Sequence, residues 1–561
     1  DYKAFREFPL VKLGRNKSGV ISEVNSMRLM PYGLMANRTI GLARENADNV
    51  GLERTYDSLL KGQTGKRLIR FISGGVAVPV DGYEIEPEDG DDIITTLDVN
   101  IQDIAETALM RKMQESESQY GTCIVMETKT GKIKALANLG RQQDGSYWED
   151  YNYALRTTEP GSTIKLATLL STLSEGKITE NELVNVGSEG HAMVGGVRNV
   201  NDAERSPKPV LSVKECFAHS SNVGMGKLAY QSFASDPLKF KSYLHKYHLD
   251  QRTGIDLVGE EKPRMAELNK KRWGLNAMIT ISFGYAIEVS PMQTLTLYNT
   301  IANDGKMMKP YLVNSVQHNG MVVKQFNPTV LEEKICEDKI IHIAKEAMKM
   351  VITEGTGRVA FKGMPFPVAG KTGTAHVADG KIKYNDGVYQ GSFVGFFPAD
   401  NPQYTCIVVV RSKPHAIRHF GGDLAAPVFR EIATKLYAMN VIDKEPAQFI
   451  AVKDSSNYYY AGNAGDFKKV LGSLDLPYRD SAGANNWAAV LPENYQPVLK
   501  DRPMTAKTVP DVKGMDLKDA LYLMENAGVR VRVSGKGKVV SQSLAAGTNI
   551  TKGMVVYISL G

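Results

Sequence analysis

The sequence has no apolar run long enough to cross a membrane. No stretch approaches the about 18 consecutive apolar residues that a spanning helix requires, and runs such as Cys406 to Val410 are far too short. We therefore expect neither a signal peptide nor a membrane span within these residues. Because the chain opens at Asp1 rather than at Met, we also expect that a membrane anchor has been left off this sequence.

The sequence also lacks a concentration of charge of one sign. The net charge is +6 over 561 residues, and Lys and Arg form no stripe of the kind that nucleic-acid binders carry. Nucleic acid is therefore not an expected partner. Hydrophobic residues at 42% and charged residues at 23% are ordinary for a globular protein. This length exceeds one hydrophobic core and predicts about two to four domains.

Cysteine is scarce, and its spacing excludes the common metal sites. The four cysteines, Cys123, Cys216, Cys336 and Cys406, show no C-x-x-C pair and no metal-ligand spacing. Cys123 and Cys406 lie in apolar, strand-like runs and are interpreted as small buried hydrophobes. Cys216 and His219 are likewise interpreted as structural. No metal site is predicted.

Composition divides the chain into four parts. Residues 1–90 mix short apolar alternations with glycine-rich breaks, which predicts extended β-structure with little helix. Residues 91–440 alternate helical and strand patterns. Residues 441–507 are poorly patterned and rich in Asn, Ser, Gly and Pro, so they form either a linker or a degenerate small domain. Residues 508–561 regain regularity, with a helical face from Leu517 to Ala527 and two strands.

The second part predicts an α+β fold. Apolar residues at helical spacing run from Ile101 to Met113, and two strands, Cys123 to Met126 and Ile133 to Ala137, flank a turn at Thr130-Gly131. Strands around Ile124, Phe393 and Cys406 to Val410 are far apart in sequence. They suggest one antiparallel sheet flanked by helices.

Three short motifs carry the chemistry, and none is specific alone. They are Ser162-x-x-Lys165, Ser220-Ser221-Asn222 and Lys371-Thr372-Gly373-Thr374. The same sequence contains chance matches to each of them, at Ser58/Lys61, Ser174/Lys177, Ser455 to Asn457 and Lys129 to Gly131. Order, separation and structural context together distinguish the first set.

Ser162 follows Pro160-Gly161 and opens an amphipathic helical pattern. A serine at a helix start has backbone N–H groups and the positive end of the dipole beside it, which suits a developing oxyanion. Lys165 lies three residues on, on the same helix face. A buried lysine loses its proton more readily than a free one and can then act as a base toward the hydroxyl. The alternative is an N-cap serine beside a solvated lysine.

Ser220 and Asn222 follow a helical run from Val213 to Ala218 and precede another, so a short connecting loop is predicted. A hydroxyl there can relay a proton between Lys165 and a leaving group, while the Asn222 amide can hold a substrate amide. The alternative is an ordinary capping loop, because Ser and Asn are favoured caps.

Lys371 to Thr374 are predicted to lie on an edge strand. Gly373 lets a substrate backbone approach closely, and Lys371, Thr372 and Thr374 offer a cation and two hydroxyls suited to a carboxylate. The backbone N–H of Thr374 can complete an oxyanion hole with that of Ser162. The alternative is a plain strand with a solvated lysine.

In this order the three motifs are the signature of serine β-lactamases and penicillin-binding proteins. Further stretches resemble class B penicillin-binding proteins of the division type: Gly51 to Glu53, Thr95 to Gln102, Thr253 to Glu260, Gly284 to Gln293 and Phe393 to Pro402. The tail, from Val509-Pro510-Asp511-Val512 to Lys552-Gly553, resembles a PASTA domain. The family's usual opening, an R-G-x-I-x-D-R-N-G run, is missing from the start.

The resemblance implies a penicillin-binding-protein/β-lactamase-like transpeptidase domain with a five-stranded sheet, a β-rich N-terminal pedestal and a small α/β PASTA-like module. It implies a D,D-transpeptidase that acylates Ser162 with the D-Ala-D-Ala end of a peptidoglycan stem peptide, passes the acyl group to an amine, is inhibited by β-lactams and needs no cofactor. It further implies a membrane-anchored protein on the periplasmic face of the inner membrane, septal wall synthesis, and a lipid-linked-sugar polymerase as partner.

Two alternatives stay open. A class A β-lactamase shares the motifs and needs a deacylating carboxylate between the second and third, where Asp256, Glu260 and Glu261 lie. The interval from Asn222 to Lys371 is longer than a compact β-lactamase requires. A non-catalytic β-lactam sensor or wall-binding protein would instead use the PASTA-like module as its working part.

Overall fold

The computed structural model describes residues 5, 7–13, 15–20, 29–44, 47–73, 76–378, 380, 382–439, 460–474, 478–483, 486–493, 496–501 and 507–561. The chain divides into two compact units, Asp1–Lys444 and Glu445–Gly561. Each unit is described by itself below.

The N-terminal part of the first unit combines short helices with one hairpin. Its elements are α1 (Arg15–Ser18), α2 (Asn37–Ile40), α3 (Gly51–Thr55), α4 (Asp57–Leu60), β1 (Lys66–Ile72) and β2 (Val76–Ile85), preceded by the 3-10 turn Val11–Leu13. The strands pair antiparallel, and every side chain of β1 is exposed. The expected extended structure is present as this hairpin, and the short helices are additional to it. Helices of four or five residues are too short to show an apolar period in the sequence.

The remainder of the first unit is a sheet with helices on both faces. The helices are α5 (Val99–Ser116), α6 (Lys165–Ser174), α7 (Val213–Ala218), α8 (Asn222–Phe233), α9 (Pro237–Lys246), α10 (Arg272–Ile281), α11 (Pro291–Ala302), α12 (Asp338–Thr353), α13 (Gly421–Leu424) and α14 (Ala426–Ala438). Three 3-10 turns accompany them: Tyr153–Leu155, Gly161–Ile164 and Tyr384–Asp386.

In this part of the unit five long strands and the short β6 form the central sheet, and the other strands form small sheets around it. The strands are β3 (Asp92–Thr95), β4 (Tyr120–Glu127), β5 (Ile133–Arg141), β6 (Tyr147–Trp148), β7 (Leu183–Asn185), β8 (His191–Val194), β9 (Arg198–Asn201), β10 (Val210–Ser212), β11 (Arg264–Met265), β12 (Ile287–Glu288), β13 (Met307–Met308), β14 (Val313–His318), β15 (Met321–Gln325), β16 (Val330–Glu332), β17 (Ala369–His376), β18 (Tyr389–Phe397) and β19 (Tyr404–Arg411).

The central sheet has the strand order β17-β18-β19-β4-β5-β6, and all neighbours are antiparallel. The predicted single sheet is confirmed, because Phe393 pairs with Val408 and Cys406 pairs with Val125. The sheet has six strands rather than five, but β6 is only two residues long. The motif strand β17 lies at the edge of the sheet, as predicted.

Both faces of the sheet are buried, and successive side chains of each strand point to opposite faces. Ile124 and Ile407 join the core that contains α6, α8, α11 and α12, whereas Cys123 and Val408 join the core formed with α5 and α14. The thiols of Cys123 and Cys406 lie 3.9 Å apart on the second face, and both are free and buried as predicted. The first two motifs lie at the starts of helices of the first core, and the third lies on β17.

The second unit contains two modules that share one topology. The first comprises β20 (Tyr460–Asn463), α15 (Ala464–Ser473), β21 (Arg479–Ser481), β22 (Trp487–Glu493) and β23 (Gln496–Asp501). The second comprises α16 (Leu517–Asn526), β24 (Arg530–Gly535), β25 (Val539–Gln542) and β26 (Val555–Leu560). In both, the helix is followed by three strands, the first and third strands pair parallel, and the second pairs antiparallel with the third.

The segment that precedes each helix also pairs in the same way. β20 lies beside β22, and Asp516 bridges to Lys538 just before β25. The predicted helix and two strands of the second module are confirmed, and β25 is an additional strand. Of the region expected to be a linker or degenerate domain, residues 441–459, 475–477, 484–485, 494–495 and 502–506 lie outside the described residues.

Candidate active site

Ser162 lies in the 3-10 turn Gly161–Ile164, and α6 begins three residues later at Lys165. The predicted helix start is therefore correct, but its first turn is 3-10. Gly161 has φ +57° and donates its N–H to the carbonyl of Gly284 at 3.1 Å. A Cβ added at Gly161 would lie 2.7 Å from the carbonyl oxygen of Thr374. Glycine before the serine thus lets this turn pack directly on β17.

The side chain of Lys165 is completely buried and has three hydrogen-bond acceptors. Its Nζ donates to the carbonyl of Ser220 at 2.5 Å, to Ser220 Oγ at 3.1 Å and to Asn222 Oδ1 at 2.7 Å. The first two motifs are therefore joined by direct contacts. The solvated lysine of the alternative interpretation is excluded.

Burial dominates the electrostatics of this lysine. Desolvation lowers the pKa of Lys165 to about 7, against the opposing effects of Asp202 and Cys216. Burial also lowers the pKa of Lys371 well below its usual value, and the nearby charge of Lys165 adds to the effect. A substantial fraction of Lys165 is consequently neutral near pH 7, as a general base requires.

Ser220 occupies the turn between α7 and α8 with a left-handed backbone, φ +57°. Its Oγ accepts hydrogen bonds from both buried lysines, from Lys165 at 3.1 Å and from Lys371 at 2.9 Å. A hydroxyl has two acceptor positions and one proton. Because the lysines use the acceptor positions, the proton of Ser220 is free to point to a third group.

Asn222 begins α8 rather than lying on the loop. Its Oδ1 accepts from Lys165, and its Nδ2 donates to the carbonyl of Asn201 at 2.8 Å. The predicted contact of this amide with a substrate therefore competes with a contact inside the protein. Asn201 and the adjacent Asp202 were not found by sequence reasoning, because they lie outside the motif and no local pattern marks them.

The third motif contributes a buried lysine and two hydroxyls. Lys371 has no exposed surface, and its Nζ contacts Ser220 Oγ and the carbonyl of Thr372, each at 2.9 Å. It also lies 5.7 Å from the ring centre of Phe217. The lysine thus contacts Ser220 rather than open solvent, and its role in holding a substrate carboxylate stays a prediction. Neither a plain strand nor a solvated lysine describes it.

The threonine hydroxyls have partners that the motif did not reveal. Thr372 Oγ1 lies 2.5 Å from Thr356 Oγ1, in the segment after α12. Thr374 Oγ1 accepts from the N–H of Gly421 at 3.1 Å and remains partly exposed. Gly373, between them, packs inward, since an added Cβ would lie 2.8 Å from Thr163 Cγ2. Its lack of a side chain brings β17 against the serine turn.

A pocket adjoins the end of β17 beyond Thr374, beside the segment that leads into Ser162. Polar groups line it, chiefly Glu159, Arg264, Glu288, His376, Gln390 and Arg411. Glu159 also accepts from the N–H of Ala286 at 3.1 Å, and burial raises the pKa of its carboxyl. This pocket therefore lies beside the strand that carries the third motif, next to the segment that leads into Ser162.

The carboxylates that a β-lactamase would need are engaged elsewhere. Asp256 accepts from the N–H groups of Leu312 and Val313 at 2.7 and 2.9 Å. Glu260 accepts from the N–H and hydroxyl of Thr253 at 2.7 and 2.8 Å.

The third candidate carboxylate is engaged in the same way. Glu261 accepts from the N–H and hydroxyl of Thr157 at 2.8 and 2.9 Å. All three acidic residues hold local backbone, and none of their recorded contacts is with Ser162 or Lys165. The described residues contain no group of three or more His, Cys, Asp or Glu placed to hold a metal ion.

A fold with these three motifs on one helix start, one inter-helix turn and one edge strand defines a serine acyltransferase of the penicillin-interacting class. The family described as "Penicillin binding protein transpeptidase domain" matches residues 121–434, and the PASTA domain family matches residues 507–561. The chain belongs to the penicillin-binding-protein transpeptidase family.

Curated relatives agree with this assignment. The chain is 30% identical to Stage V sporulation protein D of Bacillus subtilis, over 97% of this chain and 77% of that protein. It is 27% identical to peptidoglycan D,D-transpeptidase FtsI of Escherichia coli, over 74% of this chain and 67% of that protein. Among solved structures it resembles penicillin-binding protein 3 of Mycobacterium tuberculosis complexed with ampicillin. That match has a TM-score of 0.62 and 25% identity, over 75% of this chain and 91% of that chain.

Proposed function

We propose that this chain is a peptidoglycan D,D-transpeptidase that works through an acyl-enzyme at Ser162. One observation carries the proposal: Lys165, three residues after the serine, is fully buried, has a pKa near 7 and contacts Ser220 and Asn222. This is the arrangement of a base that activates a nearby hydroxyl.

Acylation begins when neutral Lys165 takes the proton of Ser162 Oγ. The oxygen then attacks the carbonyl carbon of the penultimate D-Ala of a stem peptide. The backbone N–H groups of Ser162 and Thr374 stabilise the developing oxyanion. Ser220 Oγ passes its proton to the nitrogen of the departing D-Ala, and protonated Lys165 replaces that proton through the contact at 3.1 Å.

Transfer to the acceptor runs the same route in reverse. The amine of a neighbouring stem peptide attacks the acyl carbon, its proton leaves through Ser220, and Lys165 returns a proton to Ser162 Oγ. The amide bond formed is the cross-link. The scheme uses side chains and backbone amides alone, with no cofactor.

The carboxylate of the terminal D-Ala meets the hydroxyls of Thr372 and Thr374. Lys371 acts behind them as a buried donor that holds Ser220 Oγ. Gly373 supports the site by allowing β17 to contact the serine turn. The remainder of the stem peptide extends along β17 into the adjoining polar pocket.

β-Lactams acylate the same serine, and this provides the test. The protein is incubated with fluorescent penicillin, the adduct lifetime is followed, and transfer between stem peptides is assayed. A stable adduct with transfer, both lost in Ser162→Ala and retained in the decoy variant Ser58→Ala, supports the proposal. Rapid release of the label would identify a β-lactamase. A stable adduct without transfer, even beside the synthetic partners, would identify a sensor.

We also propose that residues 460–501 form a second PASTA-like module. The support is the shared topology of the two modules and their common core, in which Ala461 and Ala489 pack with Val512 and Leu523. If the module of residues 460–501 folds by itself, a chain that ends before residue 502 should keep α15 folded. Loss of its helical signal would show that it depends on the second module.

The proposed setting is the extracytoplasmic face of the inner membrane, in synthesis of the septal wall. The PASTA domain is the support for the septal role. Within the described residues no helix is both long and apolar enough to span a bilayer. A fluorescent fusion that labels the lateral wall instead of the septum would refute the septal role.

The proposed partner is a lipid-linked-sugar polymerase bound through the N-terminal pedestal. The exposed apolar side chains of β1, including Leu68 and Phe71 at 52% and 69% exposure, support such a contact. Leu68→Ser with Phe71→Ser should reduce co-purification with the polymerase and leave penicillin acylation unchanged. Undiminished co-purification would contradict the assignment of this surface.

A further inference from the structure

The β8–β9 hairpin ends beside the turn between α7 and α8. Asn201, its last residue, and Asp202, which follows it, make three contacts there. Asp202 Oδ2 accepts from Ser221 Oγ at 2.8 Å, and Asp202 Oδ1 accepts from the N–H of Val223 at 2.9 Å. The preceding carbonyl, that of Asn201, accepts from Asn222 Nδ2 at 2.8 Å. Ser221, Asn222 and Val223, at the start of α8, are thus each held by this pair.

The hairpin is a rigid support for these contacts. β8 and β9 pair antiparallel from His191 to Asn201, and Val194 and Val200 are buried in the main core. The N–H of Asp202 donates to the carbonyl of Gly190 at 2.7 Å, which closes the hairpin behind the carboxylate. The position of Asp202 is therefore fixed by the fold and not by a mobile loop.

These contacts determine where the base lies. With Nδ2 of Asn222 held by Asn201, its Oδ1 is directed at Lys165 Nζ, 2.7 Å away. Ser221, held by Asp202, also accepts from the N–H of Gly224 at 2.9 Å and so caps α8. Ser220, the residue before it, keeps the left-handed backbone that brings both its carbonyl and its hydroxyl to Lys165.

We propose that Asp202 is a positioning residue of the acylation reaction, which holds the Ser220–Asn222 turn on Lys165 and supplies the negative charge that balances this lysine. The inference rests on the proposed role of Lys165 as the base. Asp202 touches no substrate group; it acts through Ser221, Val223 and the buried lysine.

The charge of Asp202 opposes the effect of burial. It raises the pKa of Lys165, whereas desolvation lowers it. The other groups around Lys165 are Cys216 on α7 and Lys371 on β17. Burial raises the pKa of the Cys216 thiol to about 12, so this thiol is neutral near pH 7. His219, beside Ser220, also has a lowered pKa, because it is partly buried. Asp202 is thus the carboxylate that acts on the base.

Two variants separate the electrostatic role from a merely structural one. Asp202→Asn is nearly isosteric and keeps an oxygen that accepts from the N–H of Val223, but it removes the negative charge. Ser221→Ala removes the contact to Asp202 and keeps the charge. The measurement is the rate of acylation by fluorescent penicillin across pH, which gives both the plateau rate and the pH at which activity is lost on the acid side.

In Asp202→Asn the acid limb should move to lower pH by about 1 unit, since the lysine loses an opposite charge. The plateau rate should also fall, by about tenfold. In Ser221→Ala the plateau should fall while the acid limb stays at its wild-type position. If Asp202→Asn does not yield folded protein, Asp202→Ser, which also removes the charge, takes its place.

An acid limb that is unmoved in the charge-removing variant would overturn the inference, as would an equal shift in Ser221→Ala. Both results differ from failure of the proposed function. In that case the wild-type protein itself would not be acylated at any pH.

Discussion

Replacing Gly373 by alanine tests how the edge strand and the serine turn fit together. An added Cβ would lie 2.2 Å from Ser392 Oγ on β18, 2.8 Å from Thr163 Cγ2 and 3.3 Å from the carbonyl oxygen of Pro160. Real carbon contacts are longer than the first two distances, so β17 and the turn must separate. Thr163 is the residue next to Ser162, and the displacement therefore reaches the nucleophile directly.

The expected effect follows from these distances. Inserting one methyl group into a packed contact costs about 1–3 kcal/mol of stability. A displacement of about 1 Å between the reacting groups lowers the rate by about 100-fold. We therefore expect Gly373→Ala to lower the acylation rate far more than it lowers the stability of the fold, because most of the sheet is unaffected.

The assay compares acylation by fluorescent penicillin with the thermal unfolding transition. Gly472 in α15 provides a matched control, since a Cβ there would meet nothing within 4 Å. Gly472→Ala should leave acylation unchanged and stabilise its helix by about 0.5–1 kcal/mol. A second test removes the obstructing atoms: Ser392→Ala with Thr163→Ser in the Gly373→Ala background should restore much of the rate. Thr163→Ser keeps the hydroxyl that bonds the carbonyl of Pro160 at 2.9 Å.

Two results would refute this reasoning. Acylation of Gly373→Ala at the wild-type rate would show that the turn tolerates the methyl group. A lost rate that the two relieving substitutions do not restore would show that glycine is needed for another reason, such as the approach of substrate to β17.

Further predictions concern the other parts of the chain. Lys371→Ala should lower acylation by about 100-fold or more, because Ser220 loses a donor, while Lys129→Ala in the decoy motif should have no effect on the same assay. Glu149 is buried, and desolvation raises the pKa of its carboxyl to about 8. The folded state therefore holds this proton more tightly than the unfolded state, so the free energy of unfolding should decrease as pH rises from about 4.5 to 8. Denaturant titrations of Glu149→Gln should show a flatter dependence of this free energy on pH. An equal slope in the variant and the wild type would contradict the prediction. Glu260→Gln should destabilise the protein without prolonging the life of the penicillin adduct, whereas a prolonged adduct would reveal a deacylating base. Removal of residues 445–561 should leave the acylation rate unchanged, and a large loss would show that the second unit supports the site.

Much of the architecture could be predicted because it depends on local patterns. The helix over Ile101 to Met113 and the strands at Cys123 and Ile133 follow from apolar periodicity, and the structure extends them by only a few residues. The same reasoning does not find the short helices of the N-terminal part, because helices of four and five residues carry no measurable period.

The sequence by itself determined the chemical groups and their order: a serine and lysine three residues apart, a Ser-x-Asn turn, and a K-T-G strand. Its own decoys show that residue types and spacing do not suffice, since Lys129-Thr130-Gly131 lies at the turn between β4 and β5, where Lys129 is exposed. Tertiary structure alone decided which lysines are buried, that Ser220 accepts from both, and that Asp202 holds the turn between α7 and α8. Burial and long-range contacts set these properties because desolvation and hydrogen bonding depend on neighbours in space, and those neighbours are far apart along the chain.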